Sequence, residues 1–438
     1  MKKDMKLNLP QLFLIGFGFL ASSLAWSVYN SQVPLILEKR FLLSNTVIGI
    51  IMTIDNFFGV IFQPLIGTWS DKTRTPLGRR MPWIGIGLPI CALFFALIPL
   101  QHILWAFMAC IIIFNLVMSL WRSPVISLMP DVTPPSLRSE GNAIINLMGG
   151  VGAIVAFLVG GFLSDLREDK FFAFLMAAVI MLLSLLVLLI LIREPDSIRF
   201  RKEKGLPISN RIRDQWALRS LEEIDADESA NPEEDQEKIS GFTAFLKLSP
   251  IKRRNLSAVL FAIFAWFMGF NAIETFFTIF ATNAYDITGG EATMMLTGFS
   301  LAFLVFAIPA GIIGKKLGRR KTILLGLATI ILFFIPILFV PKKSLVQVLL
   351  VLGGFSWAMI NINSLPLVLD YSTEKTVGTF TGYYYLFSFT AAIVSPILYG
   401  LIKDNIGNDK LLFIFAIIAF GLALVSMLTI KKESANND

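Results

Sequence analysis

Three ionisable residues stand where a charge is expensive. Asp55, Arg122 and Glu274 interrupt long apolar runs, while the remaining basic residues of 38 and the other acids of 31 belong to polar stretches or to the ends of runs. A charge at bilayer depth costs about 2.5–3.5 kcal/mol on insertion scales, so such groups face a cavity, pair, and usually serve function. An acid in a dehydrated cavity holds its proton more tightly, which lets it take a proton on one side of a membrane and release it on the other. Arginine offers a fixed fork of donors, suited to holding a carboxylate between proton visits or to gripping hydroxyl groups. These types predict proton coupling at Glu274, Asp55 and Arg122. The structural alternative is a buried ion pair that locks helices together. The single histidine, His102, falls in a short loop, and Cys91 and Cys110 fall in apolar runs. No metal-ligand cluster, cofactor motif or nucleophile–base pair is visible, so an enzyme is not indicated.

The elements that carry these residues follow from composition. Of 438 residues 55% are hydrophobic and only 16% charged, including 39 Phe; a soluble domain averages about 25% charged. Crossing the hydrocarbon takes about 20 apolar residues, and only helices or closed barrels satisfy their backbone there. The runs are continuous instead of alternating, which favours helices over barrel strands. Spans are predicted near 11–37, 46–68, 82–100, 103–129, 141–164 and 171–192, then near 255–281, 292–313, 321–340, 345–369, 377–401 and 411–430. The fold class is therefore all-α integral membrane, with an N-terminal six-helix bundle over 1–192 and a C-terminal one over 255–438. Between them, 193–254 reads as a partly disordered linker whose acidic run at 222–237 lacks the apolar content to fold. Its end, 242–254, mixes Phe and Leu with Lys and Arg and reads as a helix lying on the membrane surface.

The halves are copies. GRR recurs at 78–80 and 318–320, an offset of 240, and Asp131 and Asp370 close similar stretches 239 apart. Two unrelated landmarks at nearly one offset indicate a six-plus-six repeat. With the N-terminus inside, 16 Lys and Arg fall in short cytoplasmic segments against 8 in the opposite loops. Positive-inside then places both termini and the linker in the cytoplasm. The net charge of +7 marks topology and not a nucleic-acid patch.

Residues 67–84, GTWSDKTRTPLGRRMPWI, join the second span to the third through a tight loop. Gly67 permits close helix approach, Asp71 can pair with loop arginines, and Gly78 supports the turn. Arg79 and Arg80 are expected to anchor at lipid headgroups, and Arg74 adds to the basic loop. The whole string reads as a latch that holds one side shut; in the second copy Lys315 stands where Asp71 would correspond, which predicts a weaker latch. The string resembles the signature loop of the major facilitator superfamily. With its long basic stretch before GRR, it is similar to the sucrose-transporter-like sugar–proton symporter branch, near the glycoside–pentoside–hexuronide cation symporters. Further likenesses are Trp26 to Pro34, Gln63-Pro64, Pro124 to Asp131 and Trp266 to Thr275.

The resemblance implies that the first, fourth, seventh and tenth spans line a central cavity. Sugar recognition needs amides and hydroxyls for the hydroxyl groups and flat aromatics for the C–H faces. The spans supply Trp26, Tyr29, Asn30, Gln32, Asn56, Asn115, Trp266, Asn271, Trp357, Asn361 and Asn363. From these, Tyr29, Asn30, Asn56, Asn115, Asn271, Trp357 and Asn361, with Arg122, form the candidate substrate set; packing or helix–helix glue is the competing role for each. Glu274-Thr275 resembles the Asp-Thr pair of the plant symporters, but Asn115 stands where their fourth-span acid lies and Ile126 where their arginine lies. Gln63 replaces the cation-site acid of melibiose-type relatives. The expectation is a monomeric carrier in the plasma (inner) membrane that moves an α-glucoside with a cation, a proton for preference. A sodium-coupled glycoside carrier, an exporter of another small solute and a non-transporting membrane sensor are the alternatives.

Overall fold

The computed structural model describes residues 7–230, 245–246, 248–339, 342–373 and 376–431 of the chain. Twelve helical stretches among them are long and apolar enough to cross a membrane, and no strand occurs among the described residues. They are α1 (Leu9–Lys39), α2 (Asn45–Met52) continued by α3 (Ile54–Lys72), α4 (Met81–Leu97), α5 (Leu104–Val132), α6 (Arg138–Val155) continued by a π turn and α7 (Gly161–Ser164), and α8 (Phe171–Leu191). After two shorter helices, α9 (Pro195–Glu203) and α10 (Ile212–Ala230), come α11 (Pro250–Tyr285), α12 (Gly289–Leu317), α13 (Arg319–Phe334), α14 (Lys343–Leu369), α15 (Val377–Ile406) and α16 (Leu411–Leu428). Their exposed Leu, Ile, Val and Phe side chains are the surface a lipid solvent accepts without cost. The chain is a multi-pass membrane protein, with twelve spanning helices among the described residues.

Two compact units divide the chain. The first comprises Met1–Ile36 and Ile54–Glu234, and the second Leu37–Thr53 and Asp235–Asp438. The second span is thus shared, broken at Thr53, whose N–H and hydroxyl both turn back to Ile50 O, at 3.2 and 2.8 Å. Asp55 follows at once in the first turn of α3, where the positive end of the helix favours a carboxylate. Within the second unit α2 packs on α15 at backbone distance: a Cβ at Gly49 would lie 2.3 Å from Pro396 O. The Asp404 carboxylate caps α2, accepting from the backbone and side chains of Asn45 and Thr46 at 2.6–2.9 Å.

The linker differs from its expectation. α9 and α10 fold onto the first unit, with Ile198, Ala217 and Leu221 forming a small core that Ile208 and Leu218 complete. The stripe of Ala217, Leu221 and Ile224 at helical spacing supplies the apolar content, while Arg219–Glu223 at 2.8 Å and Arg199–Asp225 at 2.7 Å tie down acids of the run. Residues 222–230 are helical for this reason; 231–237 lie outside the described residues. Of the surface helix expected at 242–254, 242–244 and Lys247 also lie outside them. Residues 250–254 begin α11 instead, behind a cap in which Ser249 Oγ accepts from Lys252 N at 3.3 Å.

Candidate functional site

In the first unit, α1, α3 and α5 bring six of the residues singled out by type together. Tyr29 is fully buried, and its hydroxyl accepts from Asn115 Nδ2 at 3.4 Å. Its ring stacks on Phe114 at 5.5 Å and meets the edge of Trp26 at 5.7 Å. The Arg122 guanidinium lies 5.9 Å from the centre of the Trp26 ring, within cation–π range. Asp55 acts electrostatically on both Arg122 and Tyr29 and accepts from Asn56 N at 2.6 Å and Asn56 Nδ2 at 2.9 Å. Asn115 Oδ1 and Trp26 Nε1 are buried with no hydrogen-bond partner in the protein. Buried polar atoms are normally satisfied, so each of these two has hydrogen-bonding capacity left unused within the protein. Asn30 is half-buried one residue on from Tyr29.

In the second unit the candidates disperse. Glu274 is exposed on α11, three residues along and so on the same helix face as half-buried Asn271, whose Nδ2 donates to Phe267 O of its own helix at 2.7 Å. Trp357 is packed on one face: it is buried, Phe270 covers that face at 4.3 Å with the rings 2° from parallel, and Phe267 meets it edge-on. Asn361 is half-buried on α14. Its neighbour Asn363 serves as helix glue, donating to Ala310 O at 3.1 Å and Met359 O at 3.0 Å.

The loop between α3 and α4 forms a closed charge network within the first unit. Arg79 Nη2 meets Asp131 Oδ1 at 2.6 Å and its Nε meets Asp196 Oδ2 at 2.9 Å. Arg80 joins Asp71 at 2.5 Å and Asp131 at 2.8 Å, and donates to Ser70 Oγ. Arg80 is only 4% exposed, which corrects the expectation of a lipid-headgroup anchor: its charge is spent on two carboxylates. Arg74 turns inward on the loop, donating to Asp71 O at 2.7 Å, and Gly67 O accepts from Ser70 Oγ at 2.9 Å. The fully buried Glu194 accepts from the N–H groups of Arg79, Arg80 and Met81 at 2.9, 2.8 and 2.6 Å, capping α4. Burial pushes its pKa up to about 7, against the pull of those three N–H groups. Gly78 has φ +112, and a Cβ there would sit 2.5 Å from Glu194 Cδ. The second copy keeps part of this: Arg319 pairs with Asp370 and donates to Pro366 O at 2.8 Å, while Lys315 is exposed.

A model of the Major Facilitator Superfamily matches residues 15–289 and 259–438. The chain belongs to this superfamily. It is 25% identical over 64% of its length to the class E tetracycline resistance protein of Escherichia coli, covering 59% of that protein. A maltose permease of Geobacillus stearothermophilus is 30% identical over 35% of this chain and 36% of its own. The fold also superimposes on the crystal structure of a bacterial homologue of the human lysosomal transporter Spinster, inward-facing and occupied. The TM-score is 0.70 at 13% identity, over 95% of this chain and 96% of that one. The names of these relatives point to different solutes, tetracycline and maltose among them.

In this major facilitator protein the network around the loop reaches further than the motif. Glu194 and Asp196 stand directly after the sixth span and were not singled out by sequence, nor was the fully buried Asp214, whose carboxylate pairs with Arg193. The signal was present in outline: an acid followed by proline directly after an apolar run is a poor match to a basic flank and a good match to a helix start.

Proposed function

We propose that this major facilitator protein is a proton-coupled sugar symporter that carries an α-glucoside such as sucrose or maltose by alternating access. The observation that carries the reading is the cluster of Tyr29, Asn115 and Trp26 beside the Asp55–Arg122 charges: unpaired amide and indole atoms for hydroxyl groups, the half-buried Trp26 ring for the sugar's C–H face, and an acid within electrostatic reach. The likeness to a maltose permease supports the sugar. The likeness to a tetracycline resistance protein supports a second reading, export of another solute, which the polar, amide-bearing cluster disfavours. Glu274, with Asn271 on its face of α11, is the leading proton carrier and Asp55 the competing one; Asn30, Asn56 and Asn361 complete the solute set. Asp71, Arg74, Arg79 and Arg80, with Gly67 and Gly78, form a latch on the face that positive-inside assigns to the cytoplasm of a plasma (inner) membrane. A single copy suffices, since one chain holds both halves.

The test is uptake of a radiolabelled sugar panel into vesicles, with and without imposed pH and sodium gradients. Glu274→Gln mimics the protonated acid, so sugar should still exchange down its own gradient while a pH gradient no longer drives accumulation. If that variant still concentrates sugar and Asp55→Asn does not, coupling belongs to Asp55. Uptake driven only by sodium, or no sugar uptake at all, refutes the reading.

A further inference from the structure

Leu37–Thr53 belongs by chain order to the first two spans but packs with the second unit. The chain crosses into that unit between Ile36 and Leu37 and returns between Thr53 and Ile54. A defect in a helix lies beside each crossing. Pro34, which cannot donate to a helical carbonyl, stands just before the first, and α2 breaks from α3 at Thr53, the second. Between them the end of α1, its turn and α2 hold together as a hairpin, Leu43 N donating to Leu37 O at 3.2 Å. The hairpin meets the second unit in two ways. α2 lies on α15 with glycine on both sides: a Cβ at Gly49 would fall 2.3 Å from Pro396 O, and one at Gly400 2.5 Å from Asn45 O. Hydrogen bonds then fix its exposed end. The Asp404 carboxylate takes the N–H and side-chain donors of both Asn45 and Thr46. The Asn283 amide of α11 holds the last turn of α1, accepting from Lys39 Nζ at 2.8 Å and donating to Glu38 Oε1 at 3.0 Å.

Helices bend sharply at proline and where their hydrogen-bond ladder is interrupted, and hinges are a few element-terminal residues that absorb the change. The contact surface also suits repeated separation. With no side chain at the two points of closest approach, the helices meet there without interlocking. Every polar tie of the hairpin sits at an exposed end, where water can replace it. Bonds to an ionised acceptor are the strong ones, so Asp404, exposed yet with four donors converging on it, carries most of the polar hold. We propose that the Leu37–Thr53 hairpin is a hinged clasp that pivots at Pro34 and Thr53 and releases from the second unit as the carrier changes state, with Asp404 keeping it shut. This is a local motion of one hairpin, distinct from rotation of the whole first unit. It does not rest on the solute or the coupling ion.

The test is double electron–electron resonance on the full chain in lipid nanodiscs, with the buried Cys91 and Cys110 replaced by alanine and spin labels at exposed positions. Ile50→Cys with Leu386→Cys reads α2 against α15. Ile50→Cys with Leu65→Cys reads across the Thr53 break within one span. The chain with its native clasp should sit mostly at the short Ile50–Leu386 distance. Asp404→Ala should raise the long-to-short ratio about tenfold, and Asp404→Asn, which keeps one acceptor oxygen, about threefold. The Ile50–Leu65 distance should change in step. Asn283→Ala, at the other tie, should shift the ratio in the same direction with Asp404 intact. A native clasp found mostly at the long distance, or a ratio unaltered in Asp404→Ala, overturns the inference. So does an Ile50–Leu65 distance that stays fixed while Ile50–Leu386 lengthens, the mark of a first unit that moves as one body.

Discussion

Glu194 is the least visible and most connected residue of the loop network, and its replacement gives a two-part prediction. Its carboxylate is the acceptor for three successive N–H groups at the start of α4. Those donors have no partner inside the helix. Glu194→Ala orphans all three; a buried unsatisfied donor costs about 1–3 kcal/mol, and the losses are not additive, so about 3 kcal/mol of local stability should go. That corresponds to roughly hundredfold faster amide exchange across Gly78–Ile84, measurable by hydrogen-exchange mass spectrometry. Glu194→Gln separates the charge from the contacts. With the folded pKa raised from 4.5 to about 7, the folded state binds the proton more tightly than the unfolded chain does. The stability this group contributes is therefore greatest below pH 4.5 and declines as pH rises to 7. At 1.36 kcal/mol per pKa unit the decline is about 3 kcal/mol. Wild type should show that slope and Glu194→Gln should lack it. An unchanged slope in Glu194→Gln, or an exchange rate unchanged in Glu194→Ala, would refute the assignment of Glu194 as the buried, titrating cap.

Three further outcomes are expected. Arg122→Lys keeps the charge beside Trp26 but loses the planar fork, so transport should fall at least tenfold at normal membrane expression; a lysine variant at full rate makes Arg122 a generic counter-charge. Gly78→Ala adds a Cβ 2.5 Å from Glu194 Cδ on a backbone with positive φ, and a loss of about 2–3 kcal/mol should appear as a lower melting temperature in detergent. Asp214→Ala leaves the 5%-exposed Arg193 charge unpaired, which should cost about 3–5 kcal/mol and raise protease sensitivity in α10; Asp214→Ala with Arg193→Met should recover most of it.

The fold was legible because the cost of desolvating a backbone or a charge is met residue by residue along the chain. Twelve apolar runs read as twelve spans, and the observed helices overlap each run. The paired landmarks carry through as well: Arg79 meets Asp131 in the first unit and Arg319 meets Asp370 in the second, because both copies of the loop set a half-buried guanidinium against a carboxylate in the same local frame. Asp55 and Arg122 stood out on the same ground, since a charge inside an apolar run is conspicuous without any knowledge of its neighbours.

What sequence left undecided is what depends on partners distant along the chain. Glu194 accepts from Arg79, 115 residues earlier, and no local pattern encodes that pairing. Trp357 has the composition of a sugar platform, yet Phe270 on another helix covers its ring; whether an aromatic face is packed or open is settled only when helices meet. The acidic run at 222–237 looks too polar to fold, and its first part does so because Ile198 and Ala217 bring the apolar surface it lacks. Composition and spacing therefore determined the number of spans, the repeat and the rare charges, since each is priced locally against water or lipid. The tertiary structure alone decided which carboxylate caps α4, which arginines are buried and which aromatic is merely core, since those energies exist only between side chains that the chain brings together on folding.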